Sequence, residues 1–168
     1  MIEPLNFQAD KHLLPEQPAL RRGVRLGIDV GKARIGVAAS DPDGLMAMPV
    51  KTVRRGAPAD VAEIVGIVQS REAIVVYTGL PKHMSGKEGD SAADARRFTA
   101  QLAAKLPQVE FRFIDERLTT VTATANLQAA GRKANRHKSV IDQQAAVIIL
   151  QSALDAERVS GRRAGVES

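Results

Sequence analysis

The run Gly27-Ile28-Asp29-Val30-Gly31, followed by Arg34-Ile35-Gly36-Val37-Ala38-Ala39-Ser40-Asp41, constrains this chain more than any other stretch. Alternation places Leu26, Ile28 and Val30 on one face of a strand and Arg25, Gly27, Asp29 and Gly31 on the other. Strand interiors disfavour both Asp and Gly, so the chain gives up β propensity here. The pattern predicts two short strands joined by a tight turn. Asp29 lies on a face that its glycine neighbours leave open, and the expected occupant of that gap is a metal ion or a phosphate.

The rest of the composition narrows the chemistry. The 168 residues suffice for one domain with a well-buried core and would be cramped as two. With no cysteine there is no disulfide framework, no thiolate nucleophile and no zinc knuckle. His12, His83 and His137 are scattered singly, so a metal site must be built from oxygen ligands, which suits magnesium or manganese. The 24 Lys and Arg against 19 Asp and Glu give a formal charge of +5, which favours a polyanionic partner, a solvated basic surface being the bland alternative. No segment has the apolar length of a membrane span, and residues 1–22 lack the apolar core of a signal peptide, so a cytoplasmic location is expected.

Three domain-level segments follow from the pattern. Residues 1–22, with three prolines and no sustained period, read as a flexible N-terminal arm. Residues 23–157 form the folded domain, and residues 158–168 read as a flexible basic tail. Within the domain, strands are expected at about 24–30, 34–40 and 46–53, with Asp41-Pro42-Asp43-Gly44 marking a turn. Val61, Ile64, Val65 and Val68 recur at helical spacing over 59–70, and the apolar run 73–77 reads as a strand buried on both faces. A helix at 91–106, a strand at 109–114 and helices at 119–130 and 139–157 complete the order. The expected fold is α/β, with a mixed five-stranded sheet in which a three-strand antiparallel meander is joined by two parallel strands and flanked by helices. In such sheets the carboxyl ends of the parallel strands share one crevice.

Three carboxylates are candidates for that crevice. Divalent-metal hydrolysis of a phosphodiester needs acids brought from separate elements to one point, which Asp29 and Glu116 satisfy. Asp115 rivals Glu116, because alternation turns the two to opposite faces. Asp142 lies on the last helix beside the small residues Ala145 and Ala146, with Ile149 a further turn along, which aims it at the sheet; an ion pair with Lys138 is its alternative. The basic run Arg132, Lys133, Arg136 and Lys138 contains no acid and suits phosphate contact, although such a run is also an ordinary solvated loop. Aromatics make up only 3% of the chain, so binding should rest on backbone charge and shape with little base stacking.

Taken together, Gly27-x-Asp29-x-Gly31-x-x-Arg34-x-Gly36-x-Ala38-x-Ser40-Asp41, Gly79-Leu80-Pro81 with Gly86 and Gly89, Asp115-Glu116-Arg117-Leu118-Thr119-Thr120 and Asp142-x-x-Ala145-Ala146 resemble the YqgF/RuvX family over about residues 24–154. The resemblance implies an RNase H-like fold related to the RuvC Holliday junction resolvase. It also implies a nuclease that matures the 5′ end of pre-16S ribosomal RNA during ribosome biogenesis. Carried over by position, the acidic set is Asp29, Glu116 and Asp142.

The leading expectation is a metal-dependent endonuclease in which these three acids are both catalytic residues and ligands of magnesium or manganese. Arg34, Lys82 and Arg117 then hold phosphates of structured RNA. A Holliday junction resolvase acting on branched DNA and a non-catalytic nucleic-acid or ribosome-binding protein are the alternatives. A glycine-flanked Asp on a hairpin also resembles the phosphate loop of actin-like ATPases, but those need a second domain for which the chain has no room. Monomer and homodimer both remain open.

Overall fold

The computed structural model describes residues 20–119 and 138–168. The elements run β1 (Arg25–Val30), β2 (Arg34–Ser40), β3 (Ala47–Arg54), α1 (Ala59–Ser70), β4 (Val75–Leu80), α2 (Asp90–Lys105), β5 (Glu110–Asp115), α3 (Lys138–Ser160) and β6 (Val166–Glu167). The sheet order is β3-β2-β1-β4-β5-β6. β1, β2 and β3 form the expected antiparallel meander, while β4 and β5 run parallel to β1.

Turn chemistry closes the meander locally. The Gly31 amide donates to the Arg34 carbonyl at 2.9 Å, and the Asp41 carboxylate accepts from the Asp43, Leu45 and Met46 amides at 2.8 to 3.0 Å. The helices then cover the two faces unequally. Leu26, Ile28, Ile35, Val37, Val53, Val76 and Phe111 meet α1 and α2 through Val61, Ile64, Val68, Phe98 and Leu102. Each such side chain contributes about 1.5 to 3 kcal/mol by burial. On the other face Ala38, Val75, Tyr77 and Ile114 pack against Ala146, Ile149, Leu150, Ala153 and Leu154 of α3.

The glycine face of β1 is filled in a way the sequence does not announce. A Cβ on Gly27 would stand 2.7 Å from the Leu150 Cβ and 2.9 Å from the Ala146 carbonyl, and one on Gly36 would collide with the Asp142 carbonyl. The gap expected for a metal or a phosphate is thus occupied, at Gly27 and Gly36, by the α3 backbone. Glycine here lets a helix lie directly on the sheet. Only the end of the face, at Asp29, stays clear of that contact.

Three boundaries differ from expectation. β4 continues through Gly79 and Leu80, because both pair with β5 at Ile114 and Asp115. The sheet has six strands, since Val166–Glu167 pairs antiparallel with β5. Residues 158–168 are therefore not a loose tail. α3 extends to Ser160, Ala164 is buried, and the Arg112 guanidinium donates to the carbonyls of Ala164 and Gly165. Charge pairing and main-chain acceptors fix a segment whose composition looked flexible. Residues 1–19 of the expected arm, the expected helix from residue 120 onward, and Arg132, Lys133 and Arg136 lie outside the described residues. No helix among the described residues is long and apolar enough to cross a membrane.

Candidate active site

Asp29 occupies the carboxyl end of β1, where its partner across the hairpin is Gly36. Because Gly36 has no side chain, α3 comes down beside it and brings Asp142 near Asp29. On the other side, the register of β4 with β1 and β5 carries Gly79 alongside Ile114 and ends β5 at Asp115. A 3-10 turn over Glu116–Leu118 follows, and a Cβ on Gly79 would lie 2.6 Å from the Glu116 Oε1. Gly36 thus admits the helix that carries one acid, and Gly79 makes room for the carboxylate of another.

The electrostatics show that these acids sense one another. Burial, and then the neighbouring Asp142, push the Asp29 carboxyl up to about 6. Burial first, then Asp29 and Asp115, push Glu116 up to about 7. Both shifts mean that the ionised forms are held against desolvation and like charge. No basic side chain pairs with Asp29 among the described residues. Asp115, the rival to Glu116, is committed elsewhere. Its carboxylate accepts from the Arg117 amide at 3.0 Å and from the Arg117 guanidinium at 2.7 Å, which lowers its pKa.

Asp142 has a partner that helical spacing does not suggest. The Arg34 Nε stands 2.9 Å from its Oδ2, so the acid pairs across the layers with β2. The side chain of Lys138, the local alternative, lies outside the described residues. With Asp142 held by Arg34, no three acidic or histidine side chains among the described residues stand close enough to share one metal ion. The expected three-ligand cluster is therefore not closed in this arrangement. Asp29 and Glu116 are brought together with Asp142 beside them, and the guanidinium sits on the third member.

Two of the expected phosphate contacts, Arg34 and Arg117, are ion-paired with Asp142 and Asp115 respectively. Lys82 lies just past β4, where its backbone bridges to Glu88. It lines a cavity of about 450 Å³ together with Lys32, His83 and the first residues of α2. Sequence reasoning passed over Lys32 and His83; the signal for Lys32 was its place in the Gly31-Lys32-Ala33-Arg34 turn, one residue past the glycine run.

The family model described as RuvX: Holliday junction resolvase matches residues 23–156. The chain belongs to the RuvX family. A Streptomyces coelicolor protein named as a candidate pre-16S rRNA nuclease is 52% identical over 166 residues, covering 98% of this chain and 96% of the relative. A Nocardioides protein of the same name is 50% identical over 151 residues, covering 87% and 96%. Among solved structures, RuvC of T. thermophilus in complex with a Holliday junction substrate superposes with a TM-score of 0.57 at 14% identity, covering 84% of this chain and 99% of RuvC. RuvC of Thermus thermophilus in a second structure superposes with a TM-score of 0.54. The shared architecture is RNase H-like. In this RuvX-family chain, the acids gathered at the carboxyl ends of β1 and β5 lie where an open α/β sheet offers its ligand crevice.

Proposed function

We propose that this chain is a divalent-metal-dependent endonuclease that trims the 5′ end of pre-16S ribosomal RNA, with Asp29, Glu116 and Asp142 as its catalytic carboxylates. The observation that carries the reading is the gathering of acids at one partly buried end of the sheet: burial and then Asp142 raise the pKa of Asp29, and burial and then Asp29 and Asp115 raise that of Glu116. Such an arrangement is costly to hold without a cation.

The residues present fit magnesium or manganese. The donors are carboxylate oxygens, and magnesium is held by carboxylates together with water and substrate phosphate, so Asp29 and Glu116 would supply the first ligands and Asp142 would complete the set. A cation bound there would activate the attacking water and stabilise the leaving oxygen. Around it, Glu116 keeps its place because Gly79 leaves the space, and Asp115 keeps Arg117 at the rim of the crevice. Lys82, with Lys32 and His83 along the adjoining cavity, would contact the phosphates of the strand beyond the scissile bond. The basic run Arg132, Lys133, Arg136 and Lys138 would add to phosphate binding through its charge.

A cleavage assay tests this. The wild type and Asp29→Asn are compared on a pre-16S RNA 5′ end and on a four-way DNA junction, each with manganese. The RNA should be cut, and the variant should lose activity by roughly 10³-fold while binding nearly as well. Faster cutting of the DNA junction would overturn the substrate. An unchanged rate for the variant would overturn the site.

A further inference from the structure

Arg34 and Asp142 form an ion pair across 108 residues of sequence, at the edge of a site where the charges otherwise repel. The backbone around Asp142 is pinned. Its carbonyl rests on Gly36 and the Ala146 carbonyl rests on Gly27, while the Gln143 side-chain Nε2 donates to the Thr52 hydroxyl at 3.1 Å. The helix therefore cannot withdraw, and only the Asp142 side chain is free to choose between neighbours. Its two choices are the guanidinium of Arg34, which it makes here, and a cation shared with Asp29, on which its charge bears. At 37% and 28% side-chain exposure the pair is strong enough to bias the carboxylate and weak enough to exchange.

We propose that Arg34 is a positioning residue that holds Asp142 as a built-in counter-cation, so that a divalent cation loading at Asp29 must take the Asp142 carboxylate from the guanidinium. This rests on the metal reading of the site. Arg34 then sets how tightly the metal binds, and once released it is free to meet a phosphate.

Mn²⁺ binding by the metal-free full-length protein reads this out without reference to cleavage. Titration calorimetry at pH 7.5 compares the wild type, Arg34→Gln, Asp142→Asn and the double variant, with thermal melts to establish folding. Arg34→Lys, which keeps the charge and lacks the planar fork, stands in if Arg34→Gln melts early. Arg34→Gln should bind Mn²⁺ roughly fivefold more tightly than wild type, the worth of a partly exposed pair. In the Asp142→Asn background the same substitution should change nothing, because the carboxylate being contested is gone. Unchanged or weaker binding by Arg34→Gln overturns the proposal. So does a gain that persists undiminished with Asp142→Asn, which would reflect only the loss of a nearby positive charge. Wild-type binding that is absent, or indifferent to Asp29→Asn, overturns the metal centre itself and the proposal with it, so the two failures are told apart.

Discussion

The two ends of α3 set acids against the same face of the sheet and surround them differently. At the far end, Glu157 is 2% exposed and pairs with Arg25 at 3.0 Å and with Arg163 at 3.0 Å, while the Tyr77 hydroxyl donates to it. Fifteen residues earlier, about 22 Å along the helix axis, Asp142 pairs with Arg34 and its charge bears on Asp29. One end neutralises its acids and ties the last strand to the body. The other sets Asp29, Glu116 and Asp142 near one another, with Arg34 on Asp142, and burial and like charge raise the pKa values of Asp29 and Glu116. On the proposed reading this is the end that takes a cation.

The largest expected effect comes from breaking the satisfied end. Glu157→Gln keeps the shape and the contact with Tyr77 but removes the charge that Arg25 and Arg163 share. Losing one member of a buried pair costs about 3 kcal/mol or more, seen as a lower urea midpoint with an unchanged slope. Next is the effect of metal at the other end. Mn²⁺ at about a hundred times its dissociation constant should stabilise the wild type by about 2.7 kcal/mol. Because the ligands must be ionised, that gain should be present at pH 7.5 and fade toward pH 5, and Asp29→Asn should abolish it. A metal-induced shift in melting temperature that ignores pH would refute the assignment of these acids.

A change of opposite sign to the first follows from removing charge at the Asp29 end. Between its ordinary value of 3.8 and about 6, Asp29 holds its proton in the folded protein and has lost it in the unfolded chain. The folded state binds more protons there, so stability falls as pH rises through that window, and the whole deficit is present above it. In chelator, Asp29→Asn should therefore be more stable than wild type at pH 7.5 by up to about 3 kcal/mol and nearly indistinguishable near pH 4. Denaturant titrations at the two pH values decide this. An Asn variant no more stable at pH 7.5 would erase the difference between the two ends.

How much of this was legible in the sequence depends on how local the cause is. The meander, the two helices on the first face and the parallel strands follow from periods of 2 and 3.6, which neighbouring residues alone set. Asp29 was legible because an acid among glycines contradicts its own strand. What filled the glycine face was not, because Gly27 and Gly36 are spoken for by a helix more than a hundred residues away. For the same reason Lys138 was the local guess for Asp142, while the fold supplies Arg34. The last strand escaped because two residues carry no period. They are held by Arg112, and the segment before them by Arg163 on Glu110 and Glu157. The strand expected at 73–77 runs on to Leu80, which pairs with Asp115, since a proline that follows a strand need not shorten it.

The smallest expected effect concerns the rim of the Asp29 end, where Lys82 lies beside Lys32 and His83. If the acids are a nuclease centre, the cations around them contact the phosphates that lead into it, and exposed cations at the satisfied end do not. Lys82→Ala should weaken binding of a labelled oligoribonucleotide a few-fold and make the slope of log affinity against log salt shallower by about 0.7 to 0.9, the loss of one phosphate contact. Arg162→Ala, on an exposed residue beyond the far end of α3, is the matching control and should leave both affinity and slope unchanged. Fluorescence anisotropy across a salt series measures the two together. Equal slopes for the two variants would mean that the protein's net charge of +5, and not the placement of its cations, draws in the nucleic acid.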